Sequence, residues 1–397
     1  MLKFLKDYIL ILGFIFLPQL KIGGLIIPTF YLFLVWGIYQ TIRSRKLFFP
    51  SLLVLIYPIQ FIFLCFSNVY NGYIEFSLLK EMILFPFYYA AGFSIISKIL
   101  IRESEIYLIR ILAYAIITNS LIILLLITFK DLNPPFHQFI HITPKNYKYV
   151  YEVPLNIRHS GLGVSGFSYL SFKTVCLYLI ILFYSYQKRD IKNYFIHITS
   201  VVVILSLIFV ARTGLFLGIF GYSIYLFLSN KKIFITLTTV LFIVFSSAVN
   251  FYLDDNGGSL IPAIERSFDL FFSEKNNGAI EELSYEASSF KINNFFLGEG
   301  DYGRDRGLIS DIGFISFLNG GGILGLIILI MHWFLILIKT FPYTNNWVKR
   351  GLFYVAILLL IFNSKELVFY GHGYMQAMII LMIFYEQKRH YCYDGSI

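Results

Sequence analysis

Apolar runs broken by short polar, mostly basic clusters repeat along the whole chain. They fall near residues 5–20, 22–41, 50–67, 79–99, 106–129, 169–186, 194–211, 213–229, 233–252, 308–338, 351–363 and 367–385. An apolar stretch of about 17 to 25 residues can cross a hydrocarbon core of roughly 30 Å as a helix. The pattern therefore predicts an all-α, polytopic integral membrane protein of about twelve transmembrane helices. The first run follows Met1-Leu2-Lys3 and ends in Leu17-Pro18-Gln19 with no small-residue cleavage site, so it is expected to stay as a first helix.

Two intervals interrupt the rhythm, residues 130–168 and 253–307, and segments of that length are uncommon unless they have a function. The chain is thus expected to be one transmembrane domain, 1–397, with two long loops on the same side. The first loop holds Asn133-Pro134-Pro135, several tyrosines and NIRHSGLG, Asn156 to Gly163. The second opens with Asp254-Asp255-Asn256-Gly257-Gly258 and closes with GEGDYGRDRGLISD, Gly298 to Asp311. Between them lies IPAIERSFDLFF, where Ile261, Ile264, Phe268 and Phe271 recur at helical spacing and predict a short amphipathic helix on the membrane surface.

Composition agrees: 58% of residues are hydrophobic and 14% charged, against about a quarter charged in soluble domains. The formal charge of +9 could suggest nucleic acid, but the basic residues are scattered among the spans instead of gathered on one face, so no nucleic-acid partner is expected. Topology accounts for the excess. With the N-terminus in the cytoplasm, inner turns carry Arg43, Arg45 and Lys46; Lys98 and Arg102; Lys188, Arg189 and Lys192; Lys231 and Lys232; Lys339, Lys349 and Arg350; and Lys388 and Arg389. Both termini are then cytoplasmic and the long loops external. The three cysteines, Cys65, Cys176 and Cys392, have no disulfide or zinc spacing.

Arg212 breaks this pattern. It stands inside an apolar stretch from Tyr194 to Leu228, too long for one span, so two helices must be joined by a tight outer turn. Thr213 is placed to cap the second helix and Gly214 to ease the reversal. A snorkelling role toward lipid headgroups competes evenly with a functional one. Other outer charges are Arg158 and His159, Arg304, Asp305 and Arg306, and Lys365-Glu366. Clustered guanidinium groups suit a phosphate or pyrophosphate, because the planar fork donates paired hydrogen bonds and stays charged. Taken singly, Arg304 and Arg306 read as solvated loop charges. Arg158 has Gly161 and Gly163 nearby to let the loop approach a ligand.

Glu299, Asp301 and Asp311 could take a proton from a sugar hydroxyl, though sequence does not rank them and a structural carboxylate is the commoner case. Asp254-Asp255 lacks a third ligand at metal-binding spacing, so no metal or other cofactor is expected. GGGILG, Gly320 to Gly325, reads as close helix packing through small residues, and His332 and His372 as satisfied core residues.

The arrangement resembles the Wzy-type polymerases of O-antigen and capsular polysaccharide, within the broader group that includes O-antigen ligases. The resembling parts are IRHSGL in the first loop, VARTGLFLGIF at the outer turn, and FFLGEGDYG followed by SDIGFISFLNGGGILGL. Span count and the two large loops agree over essentially the whole chain. The resemblance implies catalytic roles for Arg158 and Arg212 at a lipid pyrophosphate; from residue chemistry Asp311 is the candidate catalytic carboxylate, and His159, Glu299, Asp301, Arg304 and Arg306 are candidate substrate-binding residues. The ligase-like pattern has His-Asn where this chain has Ser310-Asp311, which favours polymerase over ligase and leaves the general base open. It further implies a bacterial cytoplasmic membrane, a polyprenyl-pyrophosphate-linked oligosaccharide as substrate, surrounding membrane lipids, and a flippase and a chain-length regulator as partners. The rival reading is a lipid-linked oligosaccharide flippase, which has many spans and basic cavity residues but no need of long ordered outer loops.

Overall fold

A computed structural model describes residues 2–72, 74, 76–142, 159–163, 167–229, 294–302, 313–341, 346–363 and 375–393. The expected span at 233–252 and the amphipathic helix at 261–272 lie outside them. The described chain is mostly helical, with one two-stranded sheet. Among the described residues, four helical stretches are long and apolar enough to cross a membrane: Leu78–Arg102, Glu105–Thr128, Tyr169–Lys188 and Phe314–Thr340. Shorter apolar helices cover Ile56–Tyr70, Asn193–Ile208 and Gly214–Ser229. The chain divides into two compact units, residues 1–29 with 104–276, and residues 30–103 with 277–397.

The first unit opens with α1, Leu2–Phe16, which stops where Leu17 takes a φ of 51° ahead of Pro18. Proline disfavours helical backbone in the residue before it. The run expected to be a second helix from residue 22 instead begins as a hairpin, β1 Gln19–Ile22 and β2 Leu25–Pro28. Gly23 and Gly24, with φ of 56° and 85°, form the two-residue turn in which both centres need positive φ. The edge of β1 receives the first long loop: Leu20 bridges Ile140, and the His141 N–H donates to the Gln19 carbonyl at 2.8 Å.

Next in this unit are α5, Glu105–Thr128; α6, Asn133–Phe139; α7, Phe167–Lys188; α8, Asn193–Ile208; and α9, Arg212–Ser229. Helix α5 is central, packed on α1, α7 and α8. Polar rungs fix its neighbours: Tyr8 Oη donates to Thr118 Oγ1 at 2.6 Å, Tyr107 Oη to Asp7 at 3.2 Å, and Ser206 Oγ to Ser120 Oγ at 2.9 Å. Gly214 does not ease a reversal. It is helical, and a Cβ there would come within 2.6 Å of Ser171 Cβ, so its role is the close crossing of α9 on α7. Thr213 lies within the first turn of α9, which begins at Arg212.

The second unit contains α2, Thr29–Ser44, most of which lies here, with α3, Ile56–Tyr70; α4, Phe76–Arg102; α10, Gly313–Thr340; α11, Trp347–Asn363; and α12, Met375–Tyr393. Pro86 sits inside α4 and removes the N–H that would bond the Met82 carbonyl; Tyr57 of α3 donates its hydroxyl to that carbonyl instead. Deeper in the unit, His332 Nδ1 and Gln60 Oε1 are 3.1 Å apart, both side chains buried, which joins α10 to α3.

Helix α10 is not continuous. At Gly322 the backbone turns to φ 59°, ψ −163°, a region open essentially to glycine alone. The GGGILG run, Gly320 to Gly325, expected to pack helices closely, does so at Gly321 and Gly325 against Phe63 of α3, but Gly322 within it breaks α10, nine residues or about 14 Å from its start.

Candidate functional site

Each unit takes one of the glycine-bearing loop ends into its helices. In the first unit it is His159–Gly163, the last four residues of the IRHSGL stretch and the glycine after it. Non-helical backbone at such a place is tolerated only when its polar groups find partners inside the protein, and here they do. The Leu162 N–H donates to Asn119 Oδ1 at 2.7 Å, and the Gly163 N–H to the Ser160 carbonyl at 2.9 Å. Gly161 has a φ of 55°, and a Cβ on it would stand 2.5 Å from Asn119 Oδ1. Its freedom serves docking onto α5 in this structure, where the sequence had suggested approach to a ligand. Asn119 lies nine residues, about 14 Å, before the end of α5, so the segment reaches well into the bundle.

His159 is 1% exposed and both ring nitrogens are engaged. The Gly161 N–H donates to Nδ1 at 2.9 Å, so the ring proton sits on Nε2, which donates to Asn133 Oδ1 at 3.0 Å. The Asn133 amide is oriented by its own donations to the Leu126 and Lys130 carbonyls, at 3.0 and 3.1 Å. The ring stacks on His137 of α6, centroids 5.6 Å apart. In this geometry His159 clasps the loop to the end of α5 and presents no nitrogen to a ligand. Its backbone N–H donates to the Phe209 carbonyl at 3.2 Å, three residues before Arg212. The two arginine-bearing motifs, far apart in sequence, thus meet at the short turn between α8 and α9. That turn is tight: Phe209, Val210 and Ala211 bond back to Ser206 and Leu207, and Leu215 bonds to Ala211. Arg212 is the first residue of α9, and Arg158 lies outside the described residues.

Burial pushes the His159 imidazole down to about 3, with His137 adding to the effect. His137 is itself held below its ordinary value, first by burial, against its bond to the Ile140 carbonyl, and with His141 adding. The undocked loop would take up a proton near the ordinary histidine value of about 6.5, which the docked one refuses. Docking is therefore at full strength above about pH 6.5 and weakens as pH falls toward 3. At pH 4.5 the docking equilibrium is expected to be roughly a hundredfold weaker. Hydrogen exchange at the Gly161 and Leu162 amides, corrected for the intrinsic pH dependence, should show that loss; protection unchanged at pH 4.5 would contradict the clasp.

In the second unit the inserted segment is Asn294–Tyr302, and it lies along the break in α10. Glu299 N–H donates to the Asn319 carbonyl at 2.6 Å and Gly300 N–H to the Gly320 carbonyl at 3.0 Å, while Ile323 and Leu324 N–H donate to the Phe295 and Phe296 carbonyls at 2.9 and 3.3 Å. The segment thus supplies partners that the interrupted helix lacks. Ser67 of α3 donates to both the Leu297 and Gly320 carbonyls, at 3.3 and 3.0 Å, and Asn319 Nδ2 donates to the Asp301 carbonyl at 2.7 Å. The approach is possible because a Cβ on Gly298 would lie 2.5 Å from the Asn319 carbonyl oxygen, and one on Gly320 would strike the Tyr302 ring. Two carboxylates are held on this pinned strap: Asp301 is buried and Glu299 half-buried. Arg304, Arg306 and Asp311 lie outside the described residues.

Among the described residues no cluster of three or more His, Cys, Asp or Glu could hold a metal ion. Sequence reasoning missed Asn119, Asn133, Ser67 and Asn319, the side chains that bind the two inserted segments. Asn119 and Asn319 were visible as amides inside apolar runs, which is where polar residues are expensive and hold specific partners. No protein-family model and no curated protein matches the chain.

Proposed function

We propose that the protein polymerises polyprenyl-pyrophosphate-linked oligosaccharide repeat units into surface polysaccharide, on the outer face of a bacterial cytoplasmic membrane. The observation that carries the reading is that two of the three resembling parts come together: His159 of IRHSGL bonds to Phe209, the residue just before VARTGL. In this reading Arg158 and Arg212 hold the pyrophosphate of the donor. An acceptor sugar hydroxyl attacks the anomeric carbon, its proton passes to a carboxylate, for which Asp311 is our choice, and the bond to the pyrophosphate oxygen breaks. Negative charge grows on the departing pyrophosphate, and pre-placed guanidinium groups at the edge of a low-dielectric bundle stabilise it. Glu299 and Asp301, fixed on the strap, are suited to sugar hydroxyls, and Arg304 and Arg306 complete the second long loop. Both termini are cytoplasmic in this topology.

Purified protein in liposomes, supplied with lipid-linked repeat units, is expected to yield a ladder of lipid-linked oligomers without added nucleotide sugar or metal. Transbilayer movement of single units with no ladder would support the flippase reading instead.

A further inference from the structure

Lys173 is a charged residue on a transmembrane-type helix, 1% exposed, and the proposed reaction gives it no part. Among the described residues the contacts of its ammonium are the Ile15 carbonyl, at 2.9 Å, and the face of Phe16, 5.8 Å from the ring centroid. Neither is an anion. Burying an ammonium on these terms is expensive, and a methionine of similar volume would pack there without that cost. A retained intramembrane charge calls for a role.

Its place on α7 supplies one. Ile15 is in the last turn of α1, where carbonyls have no helical partner and a cation is favoured by the helix dipole. Lys173 therefore caps α1 from α7. Two residues earlier, Ser171 is the side chain against which Gly214 of α9 packs. At 3.6 residues per turn, Ser171 and Lys173 point about 160° apart, so the first turns of α7 are gripped from opposite sides. Between them Leu170 meets Gly163, the end of the docked HSGLG segment, where a Cβ would come within 2.8 Å. Three faces of one short stretch thus touch the end of α1, the first inserted loop end and the start of α9.

We infer that Lys173 is a positioning residue: by bonding the Ile15 carbonyl it fixes the start of α7, and through the Ser171–Gly214 crossing it sets where α9 and Arg212 begin. Its consequence for catalysis rests on the proposed role of Arg212; its consequence for geometry does not. Loss of one hydrogen bond to a charged group shifts a local opening equilibrium by roughly ten- to a hundredfold.

The test uses full-length protein in membranes, with the native cysteines replaced and a single cysteine at Ala211, which is 6% exposed beside Arg212. Lys173→Met removes the donor and keeps the bulk, and should raise the thiol-labelling rate at Ala211 by tenfold or more. Lys173→Arg, which can donate to the same carbonyl, should return it toward the native rate. In polymer assays Lys173→Met should lower kcat far more than it raises KM. Unchanged labelling in Lys173→Met at normal protein level would overturn the inference, whatever happens to polymer. Faster labelling with normal polymer would leave the positioning role standing and count against Arg212 as a substrate contact. Removing a charge should ease membrane insertion, so both Lys173→Met and Lys173→Gln are expected to accumulate. Absence of both from the membrane would assign Lys173 to folding as a whole and equally overturn a role confined to α9.

Discussion

Arg212→Lys is expected to cut polymer synthesis by about 10²- to 10³-fold while the protein accumulates normally, the usual loss when one donor is removed from a preorganised charge-stabilising site. The choice of lysine separates two accounts of the residue. An arginine that snorkels to headgroups is replaced almost equivalently by lysine, because a single ammonium reaches the same interface. A planar, paired contact to phosphate oxygens is not, because lysine is a point charge without the fork. Arg212 opens α9 immediately after the turn to which the His159 backbone is bonded. Lipid-linked single repeats should build up in the variant as they do in a deletion. Normal polymer at normal protein level would leave Arg212 as an interfacial anchor.

The second large effect belongs to Gly322→Ala. At φ 59°, ψ −163° an alanine is strained by about 1–3 kcal/mol. Its methyl would also fall on the Phe296 carbonyl, whose oxygen accepts the Leu324 N–H, so the strap must shift and its ladder to α10 must open. Each backbone group left unpaired away from water adds about 1–3 kcal/mol. A large drop in detergent-solubilised thermal stability is expected, together with faster thiol labelling of a single cysteine at Leu297. Gly325→Ala is the control: its nearest contact is the edge of the Phe63 ring at 3.0 Å, so only a small shift is required. Equal stability of the Gly322 and Gly325 variants would contradict the account of the break.

The apolar helices were legible, whether or not long enough to cross a membrane, because apolar periodicity is a strong signal. The expected spans at 106–129, 169–186, 194–211 and 213–229 correspond to α5, α7, α8 and α9 within a few residues. What failed was punctuation inside apolar sequence. Residues 22–41 read as one span because leucine and isoleucine serve strand and helix alike, yet Gly23-Gly24, with Pro18 and Pro28 on either side, marks a hairpin. The expectation of close helix packing for Gly320 to Gly325 holds for Gly321 and Gly325, which lie against Phe63 of α3, but Gly320 and Gly322 face the strap from residues 294–302. Hydropathy could not reveal it, because four of the strap's bonds to α10 run between backbone groups. His159 reads from the sequence as a substrate-binding candidate; its engagement with Asn133 depends on a contact across 26 residues that no local pattern encodes. Lys173 drew no attention because its partner is a carbonyl 158 residues away.

The sidedness of lipid-linked single repeats in cells lacking the protein tests the central claim most directly. Polymerisation outside the membrane requires that units already delivered to the outer face accumulate there, open to an impermeant periodate or glycosidase treatment of intact cells. Accumulation of the same units on the inner face, protected until the membrane is permeabilised, would contradict the polymerase and assign the protein to translocation.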